Sequence, residues 1–272
     1  MGFVLALALG ALAAQQPVAA PTPSPAPSPG ARPGIQGQDD RQAVEAAAYP
    51  WTSIGRLNNA GRGFCTAVLI APTRVLTAAH CVRSHVAGHA WAPPGTVHFL
   101  AGYRRGRYLA HSQASAIAVA PAEPGRGRRK DGGGLEGRET DFAVVTLAHP
   151  MPPSLRPLPV EAFDAFRWLD DRRAGIRYTQ AGYSGDRAHL LTRTPACSIS
   201  GFDRYGRLFA HDCDATYGDS GSPILVRRGQ GYAVVGLHVA VSEAGFGLAV
   251  TGRTLRMGLE RLAGALPRPV NR

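Results

Sequence analysis

Thr216-Tyr217-Gly218-Asp219-Ser220-Gly221-Ser222-Pro223 stands immediately before an apolar run, Ile224-Leu225-Val226. A serine flanked by glycines ahead of a strand is expected at a tight turn, with its hydroxyl displayed rather than buried. Such a display suits a nucleophile, but a hydroxyl is a poor one at neutral pH and needs a base within hydrogen-bond reach. The second compact signature, Thr77-Ala78-Ala79-His80-Cys81, offers an imidazole. Nine histidines are present, and one taken at random is more often structural than catalytic. His80 is set apart by its place in this signature, beside a cysteine with a well-spaced partner.

The two stretches together resemble the nucleophile and histidine loops of the trypsin-like, chymotrypsin-fold serine endopeptidases. The likeness is greatest to the bacterial members, whose nucleophile loop often reads Gly-Asp-Ser-Gly-Ser-Pro; the animal enzymes usually carry a glycine where this chain has Ser222. The resemblance implies a triad whose carboxylate heads a buried strand. Asp141, opening Asp141-Phe142-Ala143-Val144-Val145-Thr146-Leu147, fits that place. Asp131, Asp164, Asp170, Asp171 and Asp186 lie in charged or Gly-rich surroundings and read as solvated. The order His80, Asp141, Ser220 is that of the trypsin-like fold and differs from those of subtilisin and the α/β hydrolases. Gly218-Asp219-Ser220-Gly221-Ser222 also lacks the second glycine of the α/β-hydrolase Gly-x-Ser-x-Gly. The resemblance places an oxyanion hole at the backbone N–H groups of Gly218 and Ser220, where one donor is worth roughly 2.7–4 kcal/mol. It also matches Asp219 to the acid that pairs, in the animal enzymes, with an ammonium freed by cleavage. No Ile-Val-Gly-Gly start occurs here, which leaves the partner of Asp219 open.

For specificity the resemblance gives two opposed signals. Asp214, six residues before Ser220, stands where trypsin-like enzymes carry the pocket-floor aspartate for Arg or Lys. His238, eighteen residues after Ser220, stands where glutamate-specific relatives place a carboxylate-binding histidine. Ala215 replaces the hydroxyl residue usual in those relatives, so the reading leans to a basic or mixed preference. Val239-Ala240-Val241 is the expected strand edge for pairing with a substrate backbone.

Around these motifs the chain reads as all-β. Short strands broken by Gly and Pro are expected from Tyr49 through Leu57, Phe64–Ile70, Arg74–Thr77, Val97–Ala101, Tyr108–Ala120, Phe142–Leu147, Ile176–Tyr183, Ser198–Phe202, Arg207–His211, Ile224–Val226, Tyr232–Val241 and Phe246–Val250. Without βα alternation they argue for two Greek-key, six-stranded antiparallel β-barrels rather than a Rossmann-type sheet. The expected organisation is a signal peptide at 1–20, a Pro-rich linker or pro-segment at 21–38, and a first barrel at 39–149 carrying His80 and Asp141. An interdomain crossover at 150–175 holds a helical turn, and a second barrel at 176–272 carries Ser220. Leu255, Leu259 and Leu262 fall at helical spacing and predict an amphipathic C-terminal helix packed on the second barrel.

With 272 residues, 44% of them apolar, the chain can bury a full core. The net charge of +11 is almost wholly arginine, since Lys130 is the single lysine. A basic surface alone selects no partner, and without zinc-finger spacing or an RNA-binding aromatic motif nucleic acid is not expected. Cys65 with Cys81 and Cys197 with Cys213 form two pairs of equal separation, neither a C-x-x-C. That favours two local disulfides in an oxidising compartment over a metal site or free buried thiols, each closing a loop worth about 3 kcal/mol. The apolar segment at 2–14, ending in small residues at Ala11-Leu12-Ala13, predicts export to the periplasm or outside the cell, although a basic n-region is missing. No apolar run long enough to span a membrane follows it. Gly125 to Gly134 reads as a flexible basic loop. The chain is expected to act on polypeptides as a monomer, without cofactor or metal. The rivals are a catalytically silent binding module on the same fold, an esterase-like hydrolase, and a quality-control protease, which would need a further peptide-binding domain.

Overall fold

The computed structural model describes residues 34–61, 63–86, 88–121 and 137–265. The signal-peptide reading, most of the Pro-rich segment and the basic loop lie outside them. The strands in chain order are β1 (Gln42–Ala43), β2 (Ile54–Asn59), β3 (Gly63–Ala71), β4 (Arg74–Thr77), β5 (Val97–Ala101), β6 (Ala110–Val119) and β7 (Ala143–Leu147). Helix α1 (Ala165–Arg173) follows, then β8 (Tyr178–Gly182), β9 (Thr192–Cys197), β10 (Ile199–Phe202), β11 (Leu208–His211), β12 (Pro223–Arg228), β13 (Gly231–Val241), β14 (Gly247–Thr251) and α2 (Gly252–Ala265).

Strands β2-β3-β4-β7-β6-β5 close into a barrel, and the rest form one curled eight-stranded antiparallel sheet in the order β1-β9-β8-β12-β13-β14-β11-β10. The fold is thus all-β and built of two antiparallel units, as the strand pattern predicts; the first closes as the expected six-stranded barrel, while the second is a curled sheet of eight strands. The alternation behind it is plain in β5, where Val97, Phe99 and Ala101 are buried and His98 and Leu100 face outward. In β7 burial is nearly continuous, because this strand is covered on both faces.

Three elements differ from the sequence reading: α1, β9 and the two-residue strand β1, which no expected strand covers. The crossover holds a complete helix, α1, started by the Asp164 carboxylate, which accepts from the N–H groups of Phe166 and Arg167 at 3.1 Å each. Asp171 on that helix is buried rather than solvated. Arg228 of β12 grips both of its oxygens at 2.7 and 2.8 Å, and the Tyr178 hydroxyl donates to it, so the charge is compensated where water is excluded. Strand β9 carries no apolar alternation; its inward residues are Thr192 and Thr194, with hydroxyls that find partners inside.

The α2 leucines behave as their spacing predicts, with Leu255 and Leu262 buried and Leu259 partly so. The helix also leans on the first barrel: a side chain at Gly258 would overlap the Phe142 ring at 2.2 Å. Both disulfides form as expected, Cys65–Cys81 and Cys197–Cys213. No helix among the described residues is long and apolar enough to cross a membrane.

Candidate active site

Strands β4 and β7 are hydrogen-bonded neighbours, with Thr77 opposite Ala143. The chain beyond Thr77 and the chain before Ala143 therefore emerge at one end of the barrel. That register brings His80, on the short helical turn Ala79–Val82, against Asp141. One Asp141 oxygen accepts the His80 backbone N–H at 3.0 Å and the other faces His80 Nδ1 at 2.8 Å. The carboxylate is buried and the imidazole about one-third exposed. An Nδ1–H donated to an ionised carboxylate leaves Nε2 as a lone pair on the open side. Cys65 and Cys81 lie beside this ring, but their sulfurs are joined to each other and so are not metal ligands.

Ser220 reaches the same place from the second sheet. It lines a small cleft with His80, Phe64, Tyr217 and Gly218, and no Ser220–His80 hydrogen bond is present among the described residues. The loop around Ser220 is shaped by two glycines in the left-handed region, Gly218 at φ 95° and Gly221 at φ 83°. A side chain at Gly218 would come within 2.5 Å of the Tyr183 carbonyl oxygen, and one at Gly221 within 2.2 Å of that of Thr66. The N–H groups of Gly218 and Ser220 find no acceptor among the described residues.

A residue that the sequence reading missed clamps this loop. Thr66 of β3 donates its backbone N–H to the Ser220 carbonyl at 3.0 Å and its hydroxyl to the Gly218 carbonyl at 3.1 Å. The same hydroxyl accepts the Tyr183 N–H at 2.9 Å, and the Thr66 carbonyl accepts the Thr77 hydroxyl at 2.8 Å. One fully buried threonine thus ties the first barrel to the Ser220 loop of the second sheet. Its only signal in the sequence is a polar residue inside the apolar run Cys65–Ile70.

Asp219 is buried and meets the Ser184 hydroxyl at 2.7 Å and the Thr216 N–H at 2.8 Å. Burial pushes its carboxyl up to about 6, against the pull of those two donors and of the Arg41 charge.

A larger cleft of about 620 Å³ opens on the other side of Ser220, lined by Gly185, Asp186, Thr216, Tyr217, His238, Ala240 and Val241. Asp214, expected at its floor, is not among these residues. Its two oxygens accept the backbone N–H groups of Gln36 at 2.8 Å and Asp40 at 3.0 Å, so it holds the N-terminal segment instead. Asp186, read as solvated, belongs to the cleft wall and is held by Arg41. Val239 is buried, while Ala240 and Val241 face the cleft. On one side these two residues pair with Leu248 and Gly247 of β14, whereas β12 on the other side reaches only as far as Leu237. Among the described residues this leaves a short unpaired strand edge.

His238 lines the cleft while almost fully buried, and its tautomer follows from its neighbours. The Cys213 N–H donates to His211 Nδ1 at 3.3 Å, so the His211 hydrogen sits on Nε2 and is donated to His238 Nδ1 at 3.1 Å. The His238 hydrogen is therefore on Nε2, which has no protein acceptor among the described residues. Both rings are buried, and burial drives both toward the neutral form, His238 down to about 3 with a further push from the nearby His80.

The trypsin-like peptidase domain family matches residues 65–237, more than half of the chain. No curated protein sequence matches the chain. Among solved structures, a Glu endopeptidase in complex with MPD is similar at 20% identity and TM-score 0.66, over 86% of this chain and all of that one. The VesB protease of Vibrio cholerae is similar at 20% identity and TM-score 0.61, over 84% of this chain and 68% of that one. An inactivated protease paralogue of the scabies mite, S-I1, is similar at 16% identity and TM-score 0.59, over 82% of this chain and 99% of that one. At these identities the structures speak for the fold, while the domain match covers both signature loops: the chain belongs to the trypsin-like peptidase domain family.

Proposed function

We propose that the chain is a serine endopeptidase acting through an acyl-enzyme on Ser220, with an acidic side chain preferred at the cleaved position. The observation that carries the catalytic reading is Asp141 holding the His80 ring while Ser220 and Gly218, whose N–H groups find no acceptor among the described residues, line the same cleft. In this reading Ser220 Oγ attacks the scissile carbonyl carbon as its proton passes to His80 Nε2. The oxygen that becomes negative is met by the N–H groups of Gly218 and Ser220, and the imidazolium, stabilised by Asp141, returns the proton to the leaving amine. Water then repeats the sequence on the ester. The edge at Ala240 and Val241 pairs with the substrate backbone by β-augmentation. Both an endopeptidase and an inactivated paralogue share this fold, so activity has to be argued from these side chains and not from the architecture.

The preference rests on His238. Its Nε2–H is a fixed donor at the bottom of the cleft, backed by His211, and Asp214 offers nothing there to an arginine. A glutamate side chain would accept that hydrogen and bring a negative charge that favours proton uptake by the ring. Two disulfides fit an oxidising compartment, in keeping with export.

A fluorophosphonate probe on the full chain is expected to label Ser220, and labelling that persists in Ser220→Ala would remove the triad. With matched peptides carrying Glu, Gln or Arg at the cleaved position, the glutamyl substrate is expected to have the highest kcat/KM. His238→Ala should lower that value roughly a hundredfold, since a hydrogen bond to a charged group is worth about 1.5–3 kcal/mol. A higher value for Arg, unmoved by His238→Ala, would refute the acidic preference.

A further inference from the structure

Arg41 is a charge buried for a reason that the catalytic reading does not use. It lies just before β1, on the N-terminal segment, with its side chain 1% exposed. Its guanidinium forks to both oxygens of Asp186, at 2.9 and 2.7 Å, and to both oxygens of Asp39, at 3.0 and 2.8 Å. A longer contact of 3.4 Å reaches the Thr216 hydroxyl, which itself donates to Asp186 at 3.1 Å. Arg187 closes the cluster from the opposite side, on the Arg41 carbonyl at 2.7 Å and Asp39 at 2.8 Å. The segment is anchored ahead of Arg41 as well, where Gly34 accepts the Ala215 N–H at 2.9 Å and Asp214 takes the N–H groups of Gln36 and Asp40.

Asp186 and Thr216 both line the cleft beside Ser220, and among the described residues Asp186 is the one carboxylate in that lining. An uncompensated anion there would oppose an acidic side chain entering toward His238. We propose that Arg41 is a positioning and charge-cancelling residue of the specificity cleft: it neutralises Asp186, holds Thr216, and thereby makes the cleft accept an acidic side chain. The inference rests on the acidic-cleft reading above and extends it to a residue far from the cleft in sequence, carried in by the segment that Asp214 secures. The bidentate geometry matters, because a guanidinium can grip two carboxylates at once whereas an ammonium is a point charge. The electrostatics agree: the hydrogen bond from Arg41 holds Asp186 below its ordinary value and Asp39 down to about 2, so both stand beside the guanidinium as anions.

The test compares matched glutamyl and glutaminyl peptides in the full chain. Arg41→Ala is expected to lower the Glu/Gln ratio of kcat/KM about tenfold, mostly through KM. Adding Asp186→Asn to Arg41→Ala should restore the ratio, and Arg41→Lys should keep only part of it, since an ammonium cannot fork to both carboxylates. Asp186→Asn alone is expected to hold or raise it, which keeps the test alive should Arg41→Ala fail to fold. Equal losses on both peptides, or no restoration by Asp186→Asn, would reduce Arg41 to a stabilising residue and overturn the inference. Failure of the underlying reading looks different. A wild type that prefers arginyl peptides breaks the acidic preference, and Arg41→Ala should then raise the Arg/Gln ratio if the charge cancelling is right and leave it unmoved if not. A wild type that cleaves nothing breaks the catalytic reading, and the same comparison is then made by calorimetry as Kd values for the glutamyl and glutaminyl product peptides.

Discussion

Asp141 and Asp214 are both almost wholly buried, and each accepts hydrogen bonds through both oxygens. Asp141 binds one backbone N–H and one imidazole, and the ring it orders lines the same small cleft as Ser220. Asp214 binds two backbone N–H groups of the N-terminal segment, and the group it orders is a piece of main chain. The same chemistry therefore orients an imidazole in one place and secures a strap of main chain in the other. What separates the two is not the acid but the donor set that the fold delivers to it.

The comparison breaks most visibly by removing each acid's charge in turn. Asp141→Asn keeps the shape but offers His80 the wrong hydrogen-bonding partner, and a loss of roughly 10⁴-fold in kcat is expected, as for other triads. Thermal stability should change far less than activity. A variant retaining more than a tenth of wild-type kcat would show that His80 is oriented by something other than Asp141.

Asp214→Asn sharpens the other half. One of its two acceptor sites becomes an amide that cannot accept from the strap, and a loss of about 1–3 kcal/mol in unfolding free energy is expected. The relative preference among Glu, Gln and Arg peptides should change little, because Asp214 does not face the cleft. Should arginyl cleavage instead collapse while glutamyl cleavage survives, Asp214 would be a pocket residue after all. Denaturant titration beside the three-peptide assay separates these results.

These two acids also show how far the sequence could be read. His80, Asp141 and Ser220 were legible because each sits in a contiguous motif whose neighbours, Cys81, the apolar run after Asp141 and the glycines around Ser220, report its surroundings. Asp214 has a neighbour, Cys213, that is equally suggestive, but its partners Gln36 and Asp40 lie more than 170 residues away along the chain. No local pattern encodes such a contact. The same holds for Arg41 and Asp186, joined across 145 residues, and for Thr66 on the Gly218 carbonyl across 152. Strand β9 escaped for a different reason: it buries threonines whose hydroxyls are satisfied inside, so the apolar alternation that marks a strand is absent.

The smallest expected effect concerns the ionisable groups buried around the cleft, and its sign differs between them. His238 is held neutral down to about 3 from an ordinary value of 6.5, and His211 is lowered in the same direction, in both cases by burial first. As pH falls from 6.5 the unfolded chain gains protons on these two rings while the folded chain does not, so stability present above 6.5 is lost on acidification. The slope is about 1.4 kcal/mol per pH unit for each ring at its steepest. Asp219 works in the opposite sense. Its carboxyl is raised by burial from 3.8 to about 6, so its contribution is fully present below 3.8 and disappears as pH rises through 6. Between pH 3.8 and 6 the folded chain thus holds one proton more on Asp219 and one fewer on each histidine, and the three nearly offset to the slope of a single ring. Replacing His238 with Gln removes one histidine from this balance, and the stability lost between pH 6.5 and 4.5 should shrink by on the order of 1–3 kcal/mol relative to wild type. Urea midpoints at the two pH values measure the difference. An unchanged loss would mean that His238 takes up its proton in the folded state as readily as in the unfolded one, and that the deep wall of the cleft is wetter and more polar than its burial implies.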